Sequence, residues 1–234
     1  VNAVEVHLVA LDRDLREDAA LAVLSLPERE RAAAFRYPRD RRRFAVCRAA
    51  LRHLLGAGAG LSAAEVALAE GAKGKPFAPG GPAFNLSHCG ELALIAVAAA
   101  GPVGVDLERI RRDRPVARLA RRFLSAAEHG AMEGLDEDEL ARAFYWCWTA
   151  KEAYLKALGV GLTRPLGSFD VSIDLAAPPR LLADRAAVGA GSWTLHRLHV
   201  AADHAATLAV AGEGCDVRLR RWPGRLGLAG PTAG

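Results

Sequence analysis

Val4, Val6 and Leu8 alternate with polar neighbours from Val4 to Ala10, the period of a half-buried strand. Pro27–Arg36 is charged and helical, with Pro27 at a first-turn position. Pro38 marks a break. A second helix is expected over Asp40–Leu55, ended by the glycine-rich run 56–60. Ser62 should start another short helix, and residues 71–81, rich in Gly and Pro, should form a loop. Phe84–His88 and Leu92–Ala98 read as paired strands joined at Cys89-Gly90. Val103–Leu107 reads as a buried strand after a turn at Gly101-Pro102. Ser125 to Glu128 is a capping-box start, and Asp136–Leu158 is a long helix stopped by Gly159. Ser168–Ile173, Trp193–Val200 and Ala205–Val210 complete the strands.

The order strand–helices–strands is thus run through twice. It predicts an α+β fold of two similar halves related by a pseudo-twofold, each a small, mostly antiparallel sheet packed with helices. The halves are expected at 1–101 and 102–222, with a flexible tail at 223–234. No residue-level repeat accompanies this topology. The seam between such halves is a natural place for a site.

The chain has 234 residues and 51% hydrophobic content, ample for a sizeable core. A net charge of +4 suits an anionic ligand or an acidic partner and is too mild to single out nucleic acid. The arginine-rich segment 36–52 lacks the interleaved aromatics of a single-strand binder, and no helix-turn-helix or zinc-finger pattern is present. No apolar run reaches membrane-spanning length, and the start lacks a signal-peptide pattern. Four scattered cysteines favour reduced thiols over zinc or disulfides. The expectation is a cytoplasmic protein with no membrane and no nucleic-acid partner.

Arginine supplies nearly all the positive charge. The only lysines are Lys73, Lys75, Lys151 and Lys156, and two of these flank Glu152 in an aromatic-rich helix. Asp106 and Glu108, at i and i+2, point to one side of a strand while Val103, Val105 and Leu107 fill the other. With Glu152 as a third carboxylate they suit a hard cation such as Mg²⁺. Taken alone, the acidic pair reads more readily as the solvated face of an edge strand, and Glu152 with Lys156 as an i,i+4 surface ion pair. Tyr145, Trp146 and Trp148 weigh against an open surface. Lys75, Ser87 and His88 offer donors to phosphate oxygens, although a lone turn histidine more often bonds backbone.

In chain order the motifs are G-K-P at 74–76, F-N-L-S-H at 84–88, G-V-D-L-E at 104–108 and W-T-A-K-E-A-Y-L-K-A-L-G at 148–159. This series resembles the 4′-phosphopantetheinyl transferases, in the longer, monomeric, surfactin-synthetase-activating type. The resemblance runs from about Pro27 to Asp170. It implies transfer of phosphopantetheine from coenzyme A to a serine of an apo acyl, peptidyl or polyketide carrier protein, with release of adenosine 3′,5′-bisphosphate. It also implies Mg²⁺ on Asp106, Glu108 and Glu152, with Glu152 a candidate base. Lys151 and Lys156 match phosphate-facing lysines, and Lys75, Ser87 and His88 match positions gripping the nucleotide end. Arg43 matches a coenzyme-side position. Relatives often carry basic residues near the helix after Pro27; here Glu28 stands with Arg31, which leaves Arg31 as a weak ligand for the 3′-phosphate. The alternative is a non-catalytic protein that binds a nucleotide or another phosphorylated ligand.

Overall fold

The computed structural model describes residues 3–71, 74–185 and 191–224. The first part runs β1 (Ala3–Ala10), α1 (Glu17–Ala22), α2 (Leu26–Ala33), α3 (Pro38–Ala59), β2 (Ala69–Glu70), β3 (Pro76–Phe77), β4 (Ala83–Cys89) and β5 (Leu92–Ala98). The second runs β6 (Val103–Arg109), α4 (Val116–Phe123), α5 (Ala126–Ala131), α6 (Glu137–Leu158), β7 (Phe169–Val171), β8 (Leu181–Asp184), β9 (Trp193–Arg197), β10 (His204–Ala211) and β11 (Asp216–Arg221). From residue 225 onward the expected tail lies outside the described residues.

The α+β reading holds. One sheet has the order β11-β1-β5-β4 and shares a core with α3; a second has the order β6-β10-β9 and backs onto α6. All neighbours are antiparallel except β11, which runs parallel to β1. The hydrophobic pattern does not announce β11, because only Val217 and Leu219 punctuate its charged residues. It covers the free edge of β1 and delivers Trp222, almost fully buried, into the core formed by α3, β1 and β5. The boundary expected at 102–222 therefore needs correction: residues 216–222 return to the first half. Short α1 and α4 also escape a pattern reading.

Local chemistry changes four further readings. Pro38 opens α3 instead of breaking the chain, since its missing N–H costs nothing in a first turn. Gly56 lies inside that helix, where the absence of a Cβ makes room for the Leu61 carbonyl oxygen; a Cβ there would stand 2.7 Å from it. The helix ends only at Gly60, whose φ of 69° is left-handed. At Ser62 there is a turn, closed by the Ser62 amide and hydroxyl donating to the Glu65 carboxylate at 2.9 and 2.6 Å. Part of the expected 71–81 loop is a small hairpin of β2 and β3.

The long helix α6 is capped at both ends. Asp136 accepts from the Glu139 amide at 2.8 Å, and Gly159 closes the C-terminus at φ 70°. Its small residues Ala153 and Ala157 lie directly on β6 at Gly104. A Cβ at Gly104 would overlap the Ala153 carbonyl oxygen and the Ala157 backbone nitrogen. Backbone cannot swing aside as a side chain can, so Gly104→Ala should destabilise the fold by about 3 kcal/mol or more. Urea unfolding measures this; a change near zero would contradict such close packing. The same contact sets the distance between the acidic strand and the lysine-bearing helix.

Candidate active site

Because β6 and α6 are clamped at Gly104, side chains one turn along meet. Lys156 Nζ lies 2.6 Å from Asp106 Oδ1, 3.0 Å from Ser87 Oγ and 3.2 Å from the Val105 carbonyl oxygen. Ser87 itself donates to Asp106 Oδ1 at 2.9 Å. Asp106 is only 4% exposed, and its second oxygen, Oδ2, is buried with no partner. Lys75 reaches over from the first half and donates to the Lys156 carbonyl oxygen at 2.5 Å. Burial, then the neighbouring Lys156 charge, lowers the Lys75 pKa.

Two carboxylates face this ion pair. Burial first and then Asp106 push Glu152 up to about 7, with Glu108 adding to the effect and Lys156 opposing it. Burial and Asp106 likewise raise Glu108. Three acidic groups thus share one partly buried field with the Lys156 ammonium. Among the described residues no three such side chains close into a ready-made cage. The orphaned Asp106 oxygen and the crowded carboxylates nevertheless fit a hard cation that takes one or two carboxylates and draws its remaining ligands from water and phosphate.

A cleft between the halves opens beside the ion pair. One cavity of about 230 Å³ is lined by Lys75, Phe84, Asn85, Lys156 and Gly159 among others. A neighbouring one of about 540 Å³ shares Lys75, Phe84 and Gly159 and extends along Phe77, Pro102 and Val103. Charged groups at one end and apolar walls at the other suit an organic phosphate.

Residues 102–209 match the family model described as the 4′-phosphopantetheinyl transferase superfamily, and residues 14–100 match that of the 4′-phosphopantetheinyl transferase N-terminal region. The chain is 35% identical over 218 residues to the 4′-phosphopantetheinyl transferase HetI of Nostoc, spanning 90% of this chain and 89% of that one. This chain belongs to the 4′-phosphopantetheinyl transferase family. It is an enzyme of that class. The transferase is also 28% identical over 175 residues to Sfp of Bacillus subtilis, covering 72% of this chain and 76% of that one. Among solved structures it resembles Thermotoga maritima holo-[acyl-carrier-protein] synthase at 21% identity and a TM-score of 0.36, over 48% of this chain and 64% of that one.

The transferase distributes the sequence-derived candidates unevenly. Asp106, Lys156, Ser87 and Lys75 come together as described, and Glu108 and Glu152 share their field. His88 is exposed, yet crowding of its ring and then Lys156 lower its pKa. Lys151 is elsewhere. It is fully buried, 2.7 Å from Glu128 Oε1, and donates to the carbonyl oxygens of Leu166 and Phe169. A spacing of five residues from Lys156 turns it by about 140° round the helix, so it faces the core and not the cleft. The expectation of a phosphate-facing Lys151 is corrected accordingly. Arg43 is held by Asp12 at 2.9 and 2.6 Å, and exposed Arg31 lies 3.6 Å from Glu70 and over the Phe44 ring. Neither joins the Asp106–Lys156 cluster. Glu28 is buried, closes the cap at Ser25 and pairs with Arg48 and Arg52.

The field around Glu152 has a measurable consequence. Its unfolded pKa is near 4.5 and its folded one about 7. Between these values the folded state holds a proton that the unfolded chain has lost. Stability without metal therefore falls as pH rises through that window. Glu152→Gln removes the penalty. It should raise metal-free stability above the window by about 3 kcal/mol and change little below it. Urea unfolding on both sides checks the sign; an equal effect at both pH values would count against a buried, crowded carboxylate.

Proposed function

We propose that this transferase moves the 4′-phosphopantetheine of coenzyme A onto a serine of an apo acyl, peptidyl or polyketide carrier protein, with Mg²⁺, releasing adenosine 3′,5′-bisphosphate. One observation carries this reading: the Lys156–Asp106 pair, with Glu108 and Glu152 in the same field, stands beside a cleft that also holds Lys75. Lys156 and Lys75 bind oxygens of the pyrophosphate, and His88 the nucleotide end. The serine hydroxyl attacks the phosphorus on the pantetheine side, a P–O bond to serine forms, and the bond to the nucleotide phosphate breaks. Glu152 is the carboxylate that accepts the serine proton, directly or through a water. Asp106, Glu108 and Glu152 would hold Mg²⁺, whose charge supports pyrophosphate displacement. Orientation and charge placement supply most of the rate in such a transfer.

Both walls of the cleft come from one chain, which supports a monomer as the working unit. Four free cysteines accord with a reducing, cytoplasmic setting. No helix among the described residues is long and apolar enough to cross a membrane. Incubation with coenzyme A, Mg²⁺ and a panel of apo carriers from fatty-acid, polyketide and peptide synthesis should add one phosphopantetheine to a carrier serine, read by intact mass. Coenzyme A binding with no mass gain on any carrier would favour a non-catalytic binding protein.

A further inference from the structure

Among the described residues, β4 and β6 belong to separate sheets and share no backbone ladder, yet they lie edge to edge and parallel. Three β4 side chains close the gap. Asn85 Oδ1 accepts from the Val105 amide at 2.8 Å, Ser87 Oγ from the Leu107 amide at 3.3 Å, and Cys89 Sγ from the Arg109 amide at 3.3 Å. The spacing is two residues on each strand with a constant offset. It takes up successive β6 amides that point away from β10, since amides alternate sides along a strand. Val105 and Leu107 are essentially unexposed, so unpaired amides there would be costly.

Two of these side chains also touch the acidic residues between those amides. Ser87 donates to Asp106, and the Cys89 thiol donates to Glu108 Oε2 at 3.8 Å. We propose that Asn85, Ser87 and Cys89 form a side-chain seam that replaces a backbone ladder between the two halves, and that Cys89 is a positioning residue aiming the Glu108 carboxylate for cation binding. The Cys89 role rests on the metal reading above. In this arrangement β4 sets the register of the acidic strand, and the groups setting it also restrain the carboxylates. Ser87 then works through Asp106 and Lys156 instead of presenting a free hydroxyl.

Two measurements test this on the full chain. Titration calorimetry with Mg²⁺ alone should show binding weakened about tenfold in Cys89→Ala, the usual lower size for losing a group behind a metal ligand. Cys89→Ser, which keeps a donor and an acceptor, should restore it, and coenzyme A titrated without metal should bind all three proteins alike. Equal Mg²⁺ affinity in Cys89→Ala and the parent, or loss of coenzyme A affinity in step with Mg²⁺, overturns the positioning role. A parent protein that takes up no Mg²⁺ overturns the metal reading itself and the Cys89 role with it. Amide hydrogen exchange decides the seam independently. The Val105 and Leu107 amides should be protected in the parent, and Asn85→Ala should accelerate Val105 selectively. Fast exchange at both amides in the parent, or unchanged Val105 exchange in Asn85→Ala, overturns the seam.

Discussion

Asp106→Ala should lower kcat/KM for carrier phosphopantetheinylation by at least about a hundredfold, a loss of roughly 2.7 kcal/mol or more in transition-state stabilisation. Asp106 holds Lys156 Nζ at 2.6 Å and keeps a second oxygen buried and unpartnered. Truncation removes that oxygen from the proposed metal site and releases the Lys156 ammonium from its place. The fold should survive, because Lys156 is 28% exposed and can return to water, and Ser87 retains the Leu107 amide. Glu152→Ala should be equally inactive while lacking the buried charge that burdens the metal-free protein. Single-turnover transfer to an apo carrier, with the thermal transition recorded beside it, separates lost chemistry from lost structure. Normal turnover by either variant with Mg²⁺ present would remove Asp106 and Glu152 from the mechanism.

Glu128→Ala should destabilise the fold by about 3–5 kcal/mol, because it strands a buried cation. Lys151 is fully buried; its charge is balanced by Glu128 at 2.7 Å and assisted by the Phe169 ring at 4.3 Å. Glu128 does more than balance it. One oxygen accepts from the Val171 amide at 2.8 Å and the other from the Ser125 amide at 2.9 Å. The residue joins the start of α5, the middle of α6 and β7. Lys151→Met should cost less than Glu128→Ala, since Glu128 would keep both backbone donors, while the alanine leaves two amides without a partner and one buried ammonium without its counter-charge. Urea unfolding of the two variants tests the ranking, and a reversed order would mean that the lysine, not the glutamate, organises this hub. The capping box at Ser125 was legible from four consecutive residues. The pairing with Lys151 was not, because 23 positions separate the partners and only folding brings them together.

Most strands and the longer helices were visible because each announces itself locally. The alternation of Val4 to Leu8, the cap at Asp136 and the stop at Gly159 are interactions among neighbours in sequence. The misses have the opposite character. β11 is a strand only because β1 offers an edge, and Gly56 serves close packing inside a helix instead of ending it, because residue 61 passes where a Cβ would stand. The β6 side carrying Asp106 and Glu108 followed from a period of two. The inward turn of Lys151 did not follow from its motif, because a motif lists residues without saying which side of the helix the core takes.

Amino-acid order by itself determined the α+β class, the acidic strand, the long lysine-bearing helix and membership of a transferase family, since each rests on short-range pattern or motif. The tertiary structure alone decided which lysine meets which carboxylate. Gly104 lets α6 settle onto β6, and this brings Lys156 to Asp106. Lys151, five residues earlier, is turned into the core toward Glu128. Close packing of backbones sets those distances, and no local propensity encodes them.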